Sequence, residues 1–515
     1  MKKRKNVILL IVILIIVGFW VGRFSSVRAE NKSRTYYDYL ILMSKVSDLI
    51  PKVYVDEIDP EKLIFGAIRG MVKTLDPYTT FLTREDFEEL KTTTKGEFGG
   101  LGIHISAQDN YITIISVIEG TPASRSGLMA GDQIIKVNEE STKGWSSSKA
   151  AKNLRGPKET TVNITIIREG VKDEMEIEIE RDVVKIASIP YVYKINGDIG
   201  YIRITNFNAT TGKDLHNALI ELEKQGIKGL LIDLRSNPGG LLSQAIETVD
   251  NFLPKKKLVV YTKGRVKKFD REFYTKSKYS FNSIPIIVLI NKGSASASEI
   301  FAGSLQDWDK ALIVGENSFG KGSVQQLFPL PMDNGIKITT SKYYIKSGRC
   351  IHKDPDEKTD KDEVSKKEIF YTESGRIVYG GGGIKPDIVI KQDTLNQFEI
   401  AVRRKNLFFN FAVDYIASHK IDVDFTVTDS IFNSFGKYIN ENEIEYTDIE
   451  FEEGQAWLRN SLESQIISNK FGLEQGNKIA IRLDPQLQEA LELFEKFETL
   501  NEMFASAADT TDVKK

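Results

Sequence analysis

The chain has 515 residues, with 70 Lys and Arg against 72 Asp and Glu and a formal net charge of −2. That balance excludes a globally cationic nucleic-acid binder, and the length leaves room for three or four domains. A single cysteine, Cys350, excludes any intrachain disulfide, even in an oxidising compartment, and reads as a small core residue.

Lys2, Lys3, Arg4 and Lys5 precede an unbroken apolar run, Val7–Val21. A positive flank and a run of that length suit a signal peptide or a short membrane anchor. Val27-Arg28-Ala29 makes a poor cleavage site beside Arg23 and Arg28, which favours an uncleaved anchor in residues 1–30. The rest of the chain is then expected outside the cytoplasm, in a bacterial periplasm or extracytoplasmic space. Residues 31–90 read as a helical region. Its stripe Tyr39, Leu42, Val46, Leu49 and Ile50 has helical spacing, suited to packing on a core or a second protomer.

Residues 91–182 read as a β-domain. Gly99-Gly100-Leu101-Gly102-Ile103 opens a series of strands, including Tyr111–Val117, Gln133–Asn138 within GDQIIKVN, and Thr161–Arg168. Trp145–Leu154 is the one clear helix. This segment resembles a PDZ domain. The resemblance implies that Leu101, Gly102 and Ile103 capture a peptide's C-terminal carboxylate while the peptide adds as a strand. A small β-domain acting as a spacer is the alternative. Arg155, in the turn after the helix, reads as exposed.

Residues 183–390 alternate strand and helix: Gly200–Thr205, Gly212–Gln225, Leu230–Leu234, Leu241–Phe252, Ile286–Ile290, Ser296–Trp308, Ala311–Gly315. The alternation predicts an α/β core. Gly229–Asp233 is a buried strand that runs into the turn Arg235–Gly240. Glycines there let a backbone N–H approach a substrate carbonyl, so Gly239 or Gly240 is a candidate oxyanion donor. An ordinary strand-to-helix turn stays open as the other reading.

Ile286–Ile290 is wholly apolar and β-branched, as expected of a strand buried on both faces. Asn291-Lys292-Gly293 breaks it, and Ser296 falls at the first turn of the next helix. Unpaired N–H groups and the helix dipole there favour a developing oxyanion, with the N–H of Ala297 as a natural donor. Ser294, Ser296 and Ser298 are also ordinary capping residues.

A serine hydroxyl needs a base, and a neutral lysine serves as one. Lys321 lies between two glycines downstream, which makes a Ser–Lys protease dyad the leading reading. Gly315–Lys321 also matches the first seven positions of a P-loop, but Gly322 stands where a hydroxyl belongs. The residues that follow read as strands, where a P-loop opens a helix. Neutrality near pH 7 needs a shift of roughly three units in the lysine pKa, so its useful partner is uncharged. Gln325 shares a strand face with Lys321 and fits. Asp307 would hold the proton on, so its role is expected to be structural. None of the four histidines lies in a triad-like motif.

NKGSASASEIFAG followed by VGENSFGKGSVQ resembles the carboxy-terminal processing (tail-specific) protease family. Gly66–Leu82, Ile232–Gly240, Lys342–Ile351 and Gly381–Asp387 are similar to that family as well, so the resemblance covers residues 35–390. It implies Ser296 as nucleophile, Lys321 as base and Gln325 as the lysine's partner. It also tips the Gly239–Gly240 turn towards a functional role.

The expected architecture is a multidomain α/β chain. It comprises an N-terminal membrane segment and helical region, a PDZ-like β-domain, an α/β protease core at 183–390 and a mixed, mostly α C-terminal region at 391–515 of unassigned role. The expected partners are proteins or peptides with accessible C-termini, the membrane, and a second copy or an activating protein, with no nucleic acid. No metal or other cofactor is needed. The charged stretch His352–Lys367 reads as a solvated loop. Two other functions stay open: a catalytically silent PDZ scaffold, and an acyl-CoA-type enzyme using the glycine-rich turn.

Overall fold

The computed structural model describes residues 35–108, 110–277, 281, 283–353 and 368–512. The apolar run Val7–Val21 and most of the charged stretch His352–Lys367 lie outside these residues. No helix among the described residues is long and apolar enough to cross a membrane.

The chain divides into two units, 1–81 and 82–515. In the first, helix α1 (Tyr36–Val53) and helix α2 (Pro60–Lys73) form as the pattern predicts. Asp59 caps α2 through the N–H of Glu61, with Pro60 at the first helical position. Of the predicted stripe on α1, Tyr39, Leu42, Val46 and Leu49 are exposed and Ile50 is half-buried.

The second unit opens with helix α3 (Arg84–Lys95), ended by Gly96 in the left-handed region at φ 77°. A β-domain follows. Strand β1 (Glu97–Gly100) pairs with β7 (Asp182–Lys185), so the segment's two ends close on each other. Between them β2 (Ile103–Gln108), β3 (Tyr111–Val117), β4 (Gln133–Val137), β5 (Thr161–Ile167) and β6 (Met175–Glu180) form one antiparallel sheet in that order. Helix α4 (Ser147–Leu154) covers it, and Leu101, Ile112, Ile114, Ile134, Ala150 and Ile166 fill the core. Asp132 of GDQIIKVN has a structural task. Its carboxylate accepts from Arg168 at 2.7 and 2.8 Å and from the N–H of Met129.

The α/β core is a six-stranded sheet: β8 (Tyr191–Ile195), β9 (Ile199–Arg203), β10 (Gly229–Asp233), β13 (Ile286–Ile290), β14 (Leu312–Gly315) and β17 (Ile388–Val389). All neighbours are parallel except the β8–β9 hairpin. Helices α5 (Thr211–Lys224), α6 (Leu242–Val249) and α7 (Ala297–Asp307) cover one face. Between these elements β11 (Leu258–Lys263), β12 (Arg271–Tyr274), β15 (Ser323–Pro329) and β16 (Gly335–Ile345) form an antiparallel sheet, ordered β15-β16-β11-β12.

Because side chains alternate along a strand, each central strand feeds two cores. Leu230, Ile232, Ile286, Val288 and Ile290 face α5–α7, whereas Leu231, Ile287, Leu289, Leu312 and Val314 face the other way. That second face is covered by the C-terminal helices α13 (Pro485–Lys496) and α14 (Leu500–Asp512), through Leu487, Ala490, Leu491, Met503 and Phe504. The core is therefore not complete at residue 390. Its second helical layer comes from the end of the chain. Between the two, α8 (Gln397–Arg404), α9 (Leu407–Ser418), α10 (Asp429–Glu441), α11 (Asp448–Phe471) and α12 (Leu473–Ala480) build a bundle around Phe398, Phe408, Phe411, Phe435, Leu458 and Leu462.

Candidate active site

Ser296, Lys321 and Gln325 line one cavity of about 1050 Å³, together with Gly239, Gly240, Ala297 and Tyr343. β13 ends at Ile290 and α7 begins at Ala297, so Ser296 sits at the junction the sequence predicted. Its φ of 55° and ψ of −111° are foreign to a helix-capping serine, which is normally extended. For a residue with a Cβ this backbone costs about 1–3 kcal/mol and persists only when its surroundings enforce it. The neighbouring serines separate cleanly from it. Ser294 Oγ donates to the carbonyl of Leu234 at 2.8 Å and Ser298 Oγ to that of Asn237 at 3.0 Å, so both are structural.

Glu299, one turn into α7 and fully buried, enforces the geometry. Its carboxylate accepts from the N–H of Ser296 at 2.8 Å, of Gly320 at 2.7 Å and of Lys321 at 2.9 Å, and from Ser318 Oγ. One side chain thus ties the serine turn to the lysine loop. Burial pushes its carboxyl above the ordinary range, and the hydrogen bonds from Ser318, Gly320, Ser296 and Lys321 pull it back. Tyr343, buried on β16, adds a second tie. Its hydroxyl lies 2.6 Å from the Lys321 carbonyl and 3.1 Å from that of Ser296. Neither residue was singled out from the sequence. The SASASE string signals only a cap, and Tyr343 carries no signal of its own.

Lys321 leads into β15, not into a helix, which removes the P-loop reading. The amide nitrogen of Gln325 donates to Ser323 Oγ at 3.0 Å and to Thr339 Oγ1 at 3.2 Å. Asp307 is away from the cavity. It pairs with Arg349 at 2.9 Å, both side chains wholly buried, and accepts from the N–H of Ser347. Burial raises the Asp307 carboxyl, and Arg349 opposes the shift. His352 comes close to the lysine loop, where its Nδ1 faces the N–H of Gly322 at 3.3 Å. Cys350 is partly exposed, not a core residue as expected.

The turn after β10 meets Ser296 directly. A Cβ on Gly239 would lie 2.8 Å from Ser296 Cβ and 2.8 Å from the Ala297 nitrogen, and one on Gly240 would lie 2.2 Å from the Phe207 carbonyl oxygen. Gly239 and Gly240 have φ of 98° and 152°. Only glycine fits there. The N–H of Gly239 is already spent on Asn237 Oδ1 at 2.9 Å, which leaves Gly240 as the donor candidate of the pair. Ala297 is the first residue of α7, where an N–H has no acceptor within the helix.

In the β-domain, Gly102 has φ 86°, and a Cβ there would meet Thr121 at 2.3 Å. The carbonyl of Leu101 accepts from Ala123 and that of Gly102 from Ile118, each at 2.9 Å, while Ile103 starts β2. Leu101 itself is buried in the domain core, and Arg155 is exposed with its guanidinium over the Phe98 ring.

Comparison with known proteins agrees with this organisation. The model of the activating protease CtpB N-terminal domain matches residues 23–86, and that of the PDZ domain matches 90–167. Peptidase family S41 matches 198–359, and the C-terminal helical domain of a probable PDZ-protease matches 398–453. A carboxy-terminal-processing protease of Bartonella bacilliformis is 37% identical over 389 residues, 74% of this chain and 82% of its own. The carboxy-terminal processing protease CtpA of Bacillus subtilis is 34% identical over 358 residues, 68% of this chain and 76% of its own. The chain belongs to the carboxy-terminal processing proteases, serine proteases of peptidase family S41 that carry a PDZ domain.

Proposed function

We propose that this protease cleaves with a Ser296–Lys321 dyad near substrate C-termini that its PDZ domain holds. The observation that carries the reading is the convergence of Ser296, Lys321, Gln325, Ala297 and Gly240 on one cavity. Ser296 Oγ attacks the scissile carbonyl carbon as Lys321 Nζ, in its neutral form, takes the hydroxyl proton. The N–H groups of Ala297 and Gly240 receive the oxyanion. Collapse breaks the C–N bond, and the lysine returns the proton to the departing amine. Water then hydrolyses the acyl ester by the same proton route. Gln325 orients the amine without adding a charge that would hold its proton on.

Leu101, Gly102 and Ile103 bind the substrate's terminal carboxylate, and capture there raises the effective concentration of a nearby peptide bond at Ser296. The N-terminal basic and apolar segment anchors the chain in a membrane, with the catalytic part in the extracytoplasmic space. The test is incubation with an unstructured protein bearing an apolar C-terminus. Cleavage is expected to vanish in Ser296→Ala and Lys321→Ala and to weaken when the substrate carboxylate is amidated. Cleavage that survives Ser296→Ala sinks the dyad.

A further inference from the structure

The turn that offers Gly240 is gripped from the opposite side of the sheet. Arg235 follows β10 and is 8% exposed. Its Nε and Nη2 donate to the Asp233 carboxylate at 3.0 and 2.8 Å. Its Nη1 reaches Asp484 Oδ1 at 2.9 Å and Gln486 Oε1 at 3.0 Å, and Nη2 lies 2.6 Å from Asp484 Oδ2. Asp484 and Gln486 stand at the start of α13, some 250 residues downstream. Gln486 is itself fully buried and oriented, since its Nε2 donates to the Ile390 carbonyl at 2.8 Å. From the other side, Arg203 binds both Asp233 and the carbonyl of Arg235. Two guanidiniums and two carboxylates balance in charge.

The turn needs such a grip. Ser236 has φ 57° and is followed at once by Asn237, Pro238 and the two positive-φ glycines. A backbone of that kind is stable only when over-determined. A guanidinium is a planar fork, so acceptors on two of its edges fix both its position and its plane. Asp233 takes one edge, and Asp484 with Gln486 takes another. We infer that Asp484 and Gln486 are positioning residues for the oxyanion turn, acting through Arg235 on the placement of the Gly240 N–H. The C-terminal helical layer is thus part of the catalytic apparatus as well as of the core. The inference rests on Ser296 as nucleophile and Gly240 as donor.

The test uses the full chain and a peptide substrate, with kcat and KM separated and melting followed in parallel. Asp484→Asn keeps side-chain volume and, with its oxygen at the Oδ1 position, the cap on Leu487, and removes the charge together with the Oδ2 acceptor that faces Arg235 Nη2. The double variant Asp484→Ala/Gln486→Leu removes both acceptors. An oxyanion donor acts only in the transition state, so the expected loss is in kcat with KM held within about twofold. We expect about tenfold for Asp484→Asn and about 100-fold for the double variant, the scale of a misplaced catalytic group. Wild-type kcat in Asp484→Asn, whether or not the double variant folds, overturns the positioning role. So does a melting shift without a kcat change in either variant. Ser296→Ala runs alongside. Cleavage that survives it overturns both readings, whereas its loss with normal kcat in the Asp484 variants overturns the positioning role alone.

Discussion

At the residue scale, Glu299 is the tie between the two segments of the proposed dyad. It is buried on α7 and its carboxylate reaches across to the lysine loop. The carboxylate is engaged by the backbone N–H groups of Ser296, Gly320 and Lys321 and by the Ser318 hydroxyl, so it ties the serine turn to the lysine loop. Glu299→Gln places an NH₂ where only acceptors fit and leaves buried donors unmatched, at about 1–3 kcal/mol each. We expect a kcat loss of about 100-fold, in the range of a removed oxyanion donor, with a lowered melting midpoint. Steady-state kinetics and a thermal melt check it, and unchanged kcat would show the ties to be dispensable. From the sequence, Glu299 looks like half of a capping box, because its other partners lie in a loop that only the fold brings back. Asp307 was legible as non-catalytic, since its charge was wrong for the site, but not its partner Arg349.

At the scale of elements, 229–233 read correctly as a buried strand and the apolar run 286–290 as one buried on both faces. Periodicity cannot say what covers each face, and residues 391–515 carried no motif to say it. Leu289 shows the consequence. It is fully buried between β13 and the C-terminal helices, so Leu289→Ala should cost about 2–5 kcal/mol even though it lies far from the α5–α7 face. Urea unfolding measures this. A cost below about 1 kcal/mol would mean that the helical layer is loosely packed there.

At the scale of the second unit, the PDZ domain rests against the helical bundle. A Cβ on Gly131 would stand 2.6 Å from Val413, and one on Gly170 would stand 3.9 Å from the Cβ of Ala417. The second spacing lies within the roughly 3.5–4.5 Å range of a disulfide. Gly170→Cys with Ala417→Cys, in a Cys350→Ser background, should therefore cross-link on mild oxidation, despite about 1–2 kcal/mol of strain from the positive φ at Gly170. Non-reducing electrophoresis after a protease digest between the two sites reads the result. Failure to cross-link would place the two domains apart for most of the time in solution.

The sequence by itself determined the local chemistry: a serine at a strand-to-helix turn, a lysine flanked by glycines, a glycine-rich turn after a buried strand, and a PDZ-like module upstream. Each is encoded in residues near one another in the chain, where propensity, spacing and backbone demands act directly. Only the tertiary structure decided which atoms are available. It spent the Gly239 N–H on Asn237, set Glu299 between two loops, and placed Asp484 and Gln486 behind the turn 235–240. The last two join positions tens to hundreds of residues apart. Burial selects such pairs, because a polar group removed from water must find its partner wherever the fold provides one.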